Sequence, residues 1–301
     1  MKRTIILFAT LLLFLFSSIG IGQASGLKKK VSLKLSVGYG KISFGDLNSF
    51  GESFDGRFDD MTAGWVGTKR GEFKQVEEWG TGYRAELLLN LSPNWKLSFG
   101  FGYTQRIEGS LMNIEDESIG SYGAYVKPKI VVYPYSLNLY LFLPITSSLK
   151  VFFNSGAVLY YGRINLNFWT DYDEPGVLTY TEEGEVIAKD RSFGFHGGLG
   201  FEFSVGPFLS LFVEGKGRSG KLNNWEGWLN YTLYGGAIGL EKRTASGTAW
   251  YCEQYDPGLT EWYTMIKVSD DIPTGPDFRN ARDLEVDLTG FSVLAGIRIK
   301  L

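Results

Sequence analysis

The sequence contains very few of the residues that catalysis, metal binding and covalent cross-linking most often use. Its 301 residues include one histidine, His196, and one cysteine, Cys252, whose role stays open. A lone thiol has no partner for an internal disulfide, and these two residues do not supply the usual ligand set of a transition-metal site. The formal net charge is −3, without the basic excess that nucleic-acid binding requires. We therefore expect no cofactor, no bound metal and no nucleic-acid partner.

Long apolar runs are also lacking, except at the start of the chain. Lys2 and Arg3 precede an apolar run at residues 5–21, and the small residues Gly22 and Ala24 follow it. This order is typical of a secretory signal, with an uncleaved anchor as the alternative. We expect a signal peptide at residues 1–24 and a mature chain at 25–301. A helical span needs about 20 apolar residues, and no later segment has them, which excludes a helical membrane protein.

What the chain does have is glycine, aromatic residues and a repeated alternation of apolar with small or polar residues. It has 39 glycines and an aromatic fraction of 16%. Alternation with a period of two predicts β-strands with one apolar face. Eight segments show it: residues 31–39, 83–91, 95–104, 133–141, 149–161, 193–205, 209–214 and 291–301. Residues 225–240 and 248–268 are ambiguous, and they would raise the number to about ten if both were barrel strands. We prefer eight, because these regions lack clean alternation and fit strand extensions and a hairpin above the barrel better.

The connections between these segments are alternately short and long. Short turns are expected at 92–94, 144–148 and 206–207, and long polar loops at 45–75, 107–123, 167–190 and 217–283. Such segregation is typical of transmembrane barrels, with short periplasmic turns and long extracellular loops. The predicted fold class is all-β, a closed antiparallel up-and-down transmembrane β-barrel. Its first and last strands must meet, because lipid does not tolerate an open strand edge.

The two faces of these strands differ in size as well as in polarity. Glycine and serine on the polar face suit a narrow lumen, whereas a soluble lipocalin-type barrel would turn its apolar face inward. Aromatic residues near strand ends fit girdles at the lipid headgroups: Trp79, Trp95, Tyr103, Tyr161 and Phe208. Side chains fill the lumen of an eight-stranded barrel, and buried charges persist by pairing. We therefore predict a lumen network of salt bridges from Lys34, Arg84, Glu86, Lys96, Lys150, Glu202, Glu214 and Arg298.

The sequence offers little support for a barrel enzyme or a calcium site. His196 shares its strand face with Ser192 and Ser204, which lie four or more residues away at a rise of about 3.3 Å per residue. That separation is too long for a hydrogen bond between base and nucleophile, which leaves a serine from a neighbouring strand as the alternative. The acidic stretches at 46–60 and 171–185 lack the spacing of a defined calcium loop.

The last long loop is rich in tryptophan and tyrosine. Such side chains suit surfaces that are partly wet and partly buried, so they can contact glycans, a partner protein or lipopolysaccharide. The alternative is that they pack on one another or lie on the headgroups. The candidate ligand-contact residues are Trp225, Trp228, Trp250, Tyr251, Trp262 and Tyr263.

The mature chain resembles the small outer-membrane barrels typified by OmpA and OmpX. Residues 294–301 are similar to the assembly signal of that group, in which Gly296 and Ile299 match. Leu294 stands where a polar residue is usual, and Leu301 where an aromatic residue is usual. The resemblance implies the outer membrane of a Gram-negative-type bacterium, with its lipid and lipopolysaccharide as partners. It also implies that the barrel assembly machinery recognises Gly296, Ile299 and Leu301.

Three functions follow in order of preference. The first is a structural or surface-interaction protein, not an enzyme, which acts through long aromatic-rich extracellular loops and has a lumen filled by charged side chains. The second is a narrow channel or transporter for small solutes. The third is a barrel enzyme.

Overall fold

The computed structural model describes residues 31–116, 119–174, 178–235 and 239–301, and the predicted signal peptide lies outside these residues. The described chain forms one helix, α1 (Gly45–Met61), and fifteen strands. The strands are β1 (Val31–Lys41), β2 (Trp79–Asn90), β3 (Trp95–Ile107), β4 (Ser110–Asp116), β5 (Gly120–Pro144), β6 (Leu149–Glu174), β7 (Leu178–Ser204), β8 (Leu209–Ser219), β9 (Lys221–Leu222), β10 (Glu226–Gly235), β11 (Gly239–Asp256), β12 (Glu261–Ser269), β13 (Phe278–Asp283), β14 (Val286–Asp287) and β15 (Gly290–Lys300).

Eight of these strands close into a ring in which each strand is antiparallel to both of its neighbours. The order around the ring is β1, β2, β3, β5, β6, β7, β8, β15 and back to β1. Where β1 meets β15, Leu33 lies opposite Ile299 and Ser36 lies opposite Gly296. The predicted fold class, the eight barrel strands and the seam between the first and last strands are confirmed.

Three tight turns lie at one end of the ring, which we call the turn end. Leu91 N donates to Trp95 O at 2.9 Å, Ile145 N to Leu149 O at 2.9 Å and Val205 N to Leu209 O at 3.0 Å. These are the three short connections that the sequence predicts. We call the opposite end, where the other connections lie, the head end.

The outer surface of the ring is apolar, as the sequence predicts. Phe193 and Phe195 on β7 are 77% and 71% exposed, while Glu202 on the opposite face of the same strand is 2% exposed. Leu137 and Leu139 are exposed on β5, and Asn138 between them is buried. An apolar belt of this extent is unfavourable in water and favourable against hydrocarbon, so it marks the membrane-spanning part of the barrel.

The polarity of the two strand faces reverses where β5, β6 and β7 continue beyond the barrel. On β5 the inward residues Ser136 and Asn138 are polar, whereas Val126, Ile130 and Val132 on the same face are apolar and buried. The outward face changes in the opposite sense, from leucines to charged residues. Each long strand therefore has an apolar outer face in the barrel and an apolar inner face in the head.

The head is built on these extensions. The connections at this end are long, as the sequence predicts, but most of their residues form strands or helix α1 and not irregular loops. Beyond the end of β8, strand β7 exchanges its partner and pairs with β10, which continues the sheet through β11 to β12 and β13. The ambiguous residues 225–240 and 248–268 therefore form strands outside the ring, and the barrel has eight strands, not ten. The two chain segments of each connection run antiparallel, so their backbones can hydrogen-bond to each other before the chain turns. This pairing lengthens the barrel strands into the head.

Helix α1 covers the inner surface of the head, and its sequence explains why it does so. Leu47, Phe50, Phe54 and Phe58 recur at intervals of three or four residues, which puts them on one helix face. Leu47, Phe50 and Phe58 are buried, and Phe54 packs against the same apolar core. The stretch predicted as an acidic loop at 46–60 is therefore an amphipathic helix.

Candidate functional site

Aromatic side chains block the lumen near the turn end. Tyr140, Phe142, Phe152 and Phe212 point inward and form one buried cluster with Leu88. The ring centroids of Phe142 and Phe152 are 5.3 Å apart, and those of Phe152 and Phe212 are 6.3 Å apart. We call these five residues the lumen plug. The charged network predicted from the sequence is therefore accompanied, at this level of the barrel, by an aromatic cluster that the sequence analysis does not predict.

One cation sits inside the plug. Lys34 Nζ lies 4.8, 4.7 and 4.2 Å from the ring centroids of Tyr140, Phe152 and Phe212. It also forms an ion pair with Glu214 Oε2 at 2.5 Å and donates to Tyr140 Oη at 3.1 Å. Cation–π attraction strengthens when the cation is removed from water. Lys34 therefore links the aromatic plug to the charged network, as well as pairing with a carboxylate.

Two carboxylates, Glu86 and Glu214, organise the network above the plug. Glu86 accepts a short hydrogen bond from Tyr140 Oη and lies 3.4 Å from Arg84 Nη1. Glu214 uses one oxygen for Lys34 and accepts from Asn154 Nδ2 at 2.9 Å with the other. The predicted network at Lys34, Arg84, Glu86 and Glu214 is therefore present as a connected set of contacts.

A second ion pair lies closer to the turns. Arg298 Nη2 is 2.6 Å from Glu202 Oε1, and both side chains are 2% exposed. The other predicted members differ from this pattern. Lys96 donates to Asn90 Oδ1 at 2.6 Å and lies over the Phe142 ring at 5.0 Å. Lys150 is only half-buried, at the rim of the turn end.

Several lumen residues that belong to the network are absent from the set predicted from the sequence. Tyr140 and Asn154 supply hydrogen bonds to the carboxylates, and Lys216 is a buried cation on β8. The alternation of β8 gives Lys216 an inward position, two residues after Glu214, but the strand predicted from the sequence ends at residue 214. Gly200 is needed beside the plug, because a Cβ there would overlap the Phe152 ring.

His196 is held by an amide in the lumen. Its Nε2 contacts Asn138 Oδ1 closely, and Asn138 Nδ2 donates to Ser98 Oγ at 2.8 Å. Because the amide nitrogen already donates to Ser98, the amide oxygen accepts from the imidazole. Ser192 Oγ donates a hydrogen bond to the Phe193 carbonyl, and Ser204 Oγ hydrogen-bonds Ser210 Oγ. In the described chain these contacts form no base–nucleophile pair.

The candidate aromatic residues of the head separate into buried and accessible groups. Trp225 is fully buried, and Tyr263 is 7% exposed, so neither can contact a ligand as predicted. Trp225 packs in the apolar core, where a Cβ at Gly162 would lie 2.7 Å from its ring. Tyr263 Oη hydrogen-bonds Asp60 Oδ2 of α1 at 2.7 Å. Burial and this hydrogen bond both raise the pKa of the Tyr263 phenol.

The other predicted aromatic residues remain at least partly accessible. Trp228 is 39% exposed, while Trp250, Tyr251 and Trp262 are half-buried. Arg279 lies over the Trp262 ring at 4.3 Å and pairs with Glu253. These residues line the surface of β10 to β13.

Charged residues also fix the helix and the outer strands of the head. Arg282 donates to both carboxylate oxygens of Asp46, at 2.7 and 2.6 Å, which raises the pKa of Arg282. Hydrogen bonds from Asn280 and Arg279 lower the pKa of Glu253. These contacts join α1 to β13 and β13 to β11, and they explain how a large head stays ordered outside the membrane.

Five cations lie on the outward face of three neighbouring strands just above the apolar belt. We call them the cationic patch: Lys127, Lys129, Arg163, Lys189 and Arg191. Their register is adjacent, because Arg163 lies opposite Lys189 and Arg191 lies opposite Tyr161. Tyr161 in turn lies opposite Tyr133. Within the described ranges no ion pair joins these cations to a carboxylate, whereas Lys41 and Lys221 elsewhere at the head end are paired with Glu78 and Glu285.

The ring of eight antiparallel strands and its apolar outer belt together settle the architecture. It is that of a small transmembrane β-barrel. Across residues 31–301, apart from the short undescribed gaps, no helix has the length and hydrophobicity to cross a membrane. The same part of the chain brings together no group of three or more His, Cys, Asp or Glu that could hold a metal ion.

The chain has a weak likeness to several solved structures. No family model and no curated protein matches the chain. Among solved structures, Neisserial surface protein A is 10% identical, with a TM-score of 0.35 over 90% of this chain and 97% of that one. OprG from Pseudomonas aeruginosa is 9% identical, with a TM-score of 0.37 over 91% and 97%. Ail of Yersinia pestis, in complex with the heparin analogue sucrose octasulfate, is 8% identical, with a TM-score of 0.30 over 90% and 99%. At these values the likeness assigns neither a function nor a partner.

Proposed function

We propose that this protein is a non-conducting barrel of the bacterial outer membrane that presents a folded head for binding at the cell surface. The observation that carries the proposal is the double closure of the lumen. The plug residues Tyr140, Phe142, Phe152 and Phe212 are at most 4% exposed at the turn end. At the other end the apolar core of the head lies over the lumen, with Trp225 and Leu222 fully buried in it.

The head supplies what a surface-binding role requires. Its strands pair edge to edge beyond the membrane, and its helix is fastened by Asp46 and Arg282. An ordered surface loses less conformational entropy on binding than a flexible loop does. The accessible aromatic residues Trp228 and Trp262 on this ordered surface support recognition of a glycan or a protein partner.

The cationic patch supports lipopolysaccharide as the partner closest to the membrane. When the head faces the cell exterior, the lipid phosphates lie at the level of the aromatic girdle. Arg163, Lys189 and Arg191 then lie just outside these phosphates. Arginine and lysine bind phosphate through charge-assisted hydrogen bonds. Recognition of Gly296, Ile299 and Leu301 by the barrel assembly machinery stays a prediction of the sequence resemblance.

A narrow channel for small solutes is the second candidate, and one experiment separates the two. The refolded mature chain is inserted in planar bilayers, and its conductance is compared with that of a variant in which Phe142, Phe152 and Phe212 are all replaced by alanine. We expect the native barrel to be silent, because the plug leaves no continuous aqueous path. Stable openings of the native protein would instead establish the channel. If only the variant conducts ions, the plug residues are what closes the lumen of the native barrel.

A further inference from the structure

A small cavity lies inside the barrel, between the charged network and the apolar core of the head. Its volume is about 30 Å³, and a cavity needs roughly 10–15 Å³ to hold one water molecule. Three of the side chains that line it are cations, Arg84, Lys216 and Arg218, and no carboxylate lines it. Its other polar walls are Thr104, His196 and Ser292, with Tyr160 beside them.

Among the cations that line this cavity, Lys216 has the fewest hydrogen-bond and carboxylate partners. Its side chain is 3% exposed, and in the described chain its Nζ makes no hydrogen bond. Glu214 Oε1 lies 3.8 Å away, but that oxygen already accepts from Asn154 at 2.9 Å, and the other oxygen pairs with Lys34 at 2.5 Å. A buried charge is tolerated only when it is paired and hydrogen-bonded, and Glu214 meets this need mainly for Lys34.

The two arginines do not remove the excess of positive charge. Arg84 is 3.4 Å from Glu86, whose other oxygen is bound to Tyr140. Arg218 donates to two backbone carbonyls, Leu288 O at 2.8 Å and Lys41 O, and these are neutral acceptors. Around the cavity there are four cations, with Lys34 included, against the two carboxylates Glu86 and Glu214. Such an excess inside a lipid-surrounded lumen is unfavourable unless an anion offsets it.

We propose that this cavity binds one small inorganic anion of the size of a halide ion, with Lys216, Arg84 and Arg218 as its ligands. The small volume suits a monatomic anion better than a phosphate or sulfate with four oxygens. Thr104 contributes a neutral hydroxyl to the lining, whereas Ser292 Oγ donates to Lys216 O at 3.4 Å. The anion offsets part of the excess positive charge between the two closed ends of the lumen. The site does not depend on the surface-binding role, because none of its residues reaches the head surface.

Bromide is the probe for this site, because its anomalous scattering locates it in crystals. The mature barrel is refolded and crystallised in bromide, in native form and as Lys216→Met. Lys96→Met is the matched control, because Lys96 is also a buried lumen lysine but does not line the cavity. We expect a bromide peak within hydrogen-bond distance of Lys216 Nζ in the native and control proteins. In Lys216→Met the half-saturating bromide concentration should rise roughly tenfold or more, since a charge-assisted hydrogen bond is lost.

A stability measurement keeps the proposal testable if Lys216→Met does not fold. The temperature at which the native barrel loses its compact gel mobility is compared in bromide, chloride and sulfate at equal ionic strength, and again with Arg84→Gln. Sulfate stabilises folded proteins generally, because it is excluded from their surface, so the quantity compared is the midpoint in halide minus the midpoint in sulfate. The proposal expects this difference to be more positive in the native barrel than in Arg84→Gln. Ordered water alone in the native cavity, or a bromide peak of unchanged occupancy in Lys216→Met, would overturn it. An equal difference in the two proteins would do the same.

Discussion

Removing the carboxylate from the pair of Glu202 and Arg298 should be among the most destabilising single substitutions in the barrel. The pair is 2.6 Å long, with both side chains 2% exposed. In the described chain Arg298 Nε and Nη1 have no hydrogen-bond partner, and its guanidinium lies 4.9 Å from the Phe142 ring. Glu202→Gln keeps the shape of the side chain and leaves the guanidinium charge buried without its partner. Breaking a buried pair in this way costs about 3–5 kcal/mol, or roughly a hundred- to several-thousand-fold in the folding equilibrium.

The pair itself contributes much less than its disruption costs. The double variant Glu202→Leu with Arg298→Met removes both charges and fills a similar volume with apolar atoms. Such replacements are often neutral or stabilising by about 1–4 kcal/mol. We therefore expect the double variant to be at least as stable as the native barrel, and the two sites to be strongly coupled, as residues in direct contact usually are.

The measurement is reversible unfolding in urea, followed by tryptophan fluorescence and by loss of the compact form on an unboiled gel. Glu241→Gln is the control, because its partner Arg243 is an exposed residue of the head, and exposed pairs contribute little. The reasoning is refuted if Glu202→Gln unfolds at the native urea midpoint, or if the double variant is less stable than Glu202→Gln.

Two further predictions concern the head. Replacing Arg163, Lys189 and Arg191 with glutamine should weaken binding to lipopolysaccharide vesicles at least tenfold, since each cation near an anionic surface contributes to attraction, roughly 1 kcal/mol. Lys221→Gln is the control. An unchanged vesicle affinity of the triple variant would remove lipopolysaccharide from the proposal. Cys252 is fully buried, and burial raises its pKa to about 11, so iodoacetamide should label it at pH 8 only after unfolding. The unfolded thiol ionises near pH 8.5, so the head should lose stability between about pH 9 and pH 11, and fast labelling of the folded chain at pH 8 would contradict this.

The barrel was predictable from the sequence because lipid imposes a simple rule on it. Outward residues such as Leu137, Leu139 and Phe195 must be apolar, and small or polar residues must alternate with them. Turn residues at 92–94 and 206–207 then mark where each strand ends. The seam of β1 with β15 followed from the requirement that no strand edge stays open, and the register confirms it.

The candidate site was only partly predictable, because pairing depends on three-dimensional distance. Alternation placed Glu202 and Arg298 inward, but it does not reveal that they are partners. It also gave no signal for Phe152 and Phe212, which occupy inward positions although they are apolar. The burial of Trp225 was missed because the head has an apolar core. The rule that apolar residues of a membrane barrel face outward does not apply there.

The helix was missed although the sequence carries a clear signal for it. The spacing of Leu47, Phe50, Phe54 and Phe58 has a helical period, but Gly51 and several aspartates between them gave the stretch the composition of a loop. Gly51 is there because Phe73 packs against the helix at that point, and a Cβ would overlap its ring. A residue that looks like a helix breaker in sequence is therefore a packing site in the structure.

The sequence of the long strands also marks the boundary between the membrane and the head. At this boundary the apolar residues change from one face of the strand to the other. Residues 130–133 of β5 are Ile, Val, Val and Tyr, four apolar residues in a row, where strict alternation fails. Before this run the inward residues are apolar, as at Val126, and after it the outward residues are apolar, as at Leu137. From Tyr133 to the outward Leu143 there are about ten residues, the length that a tilted strand needs to cross a bilayer. The same change follows residues 158–161 of β6, and the two runs meet where Tyr161 lies opposite Tyr133. A phase change at the same level in two paired strands therefore distinguishes a membrane barrel with a folded head from a barrel with flexible loops.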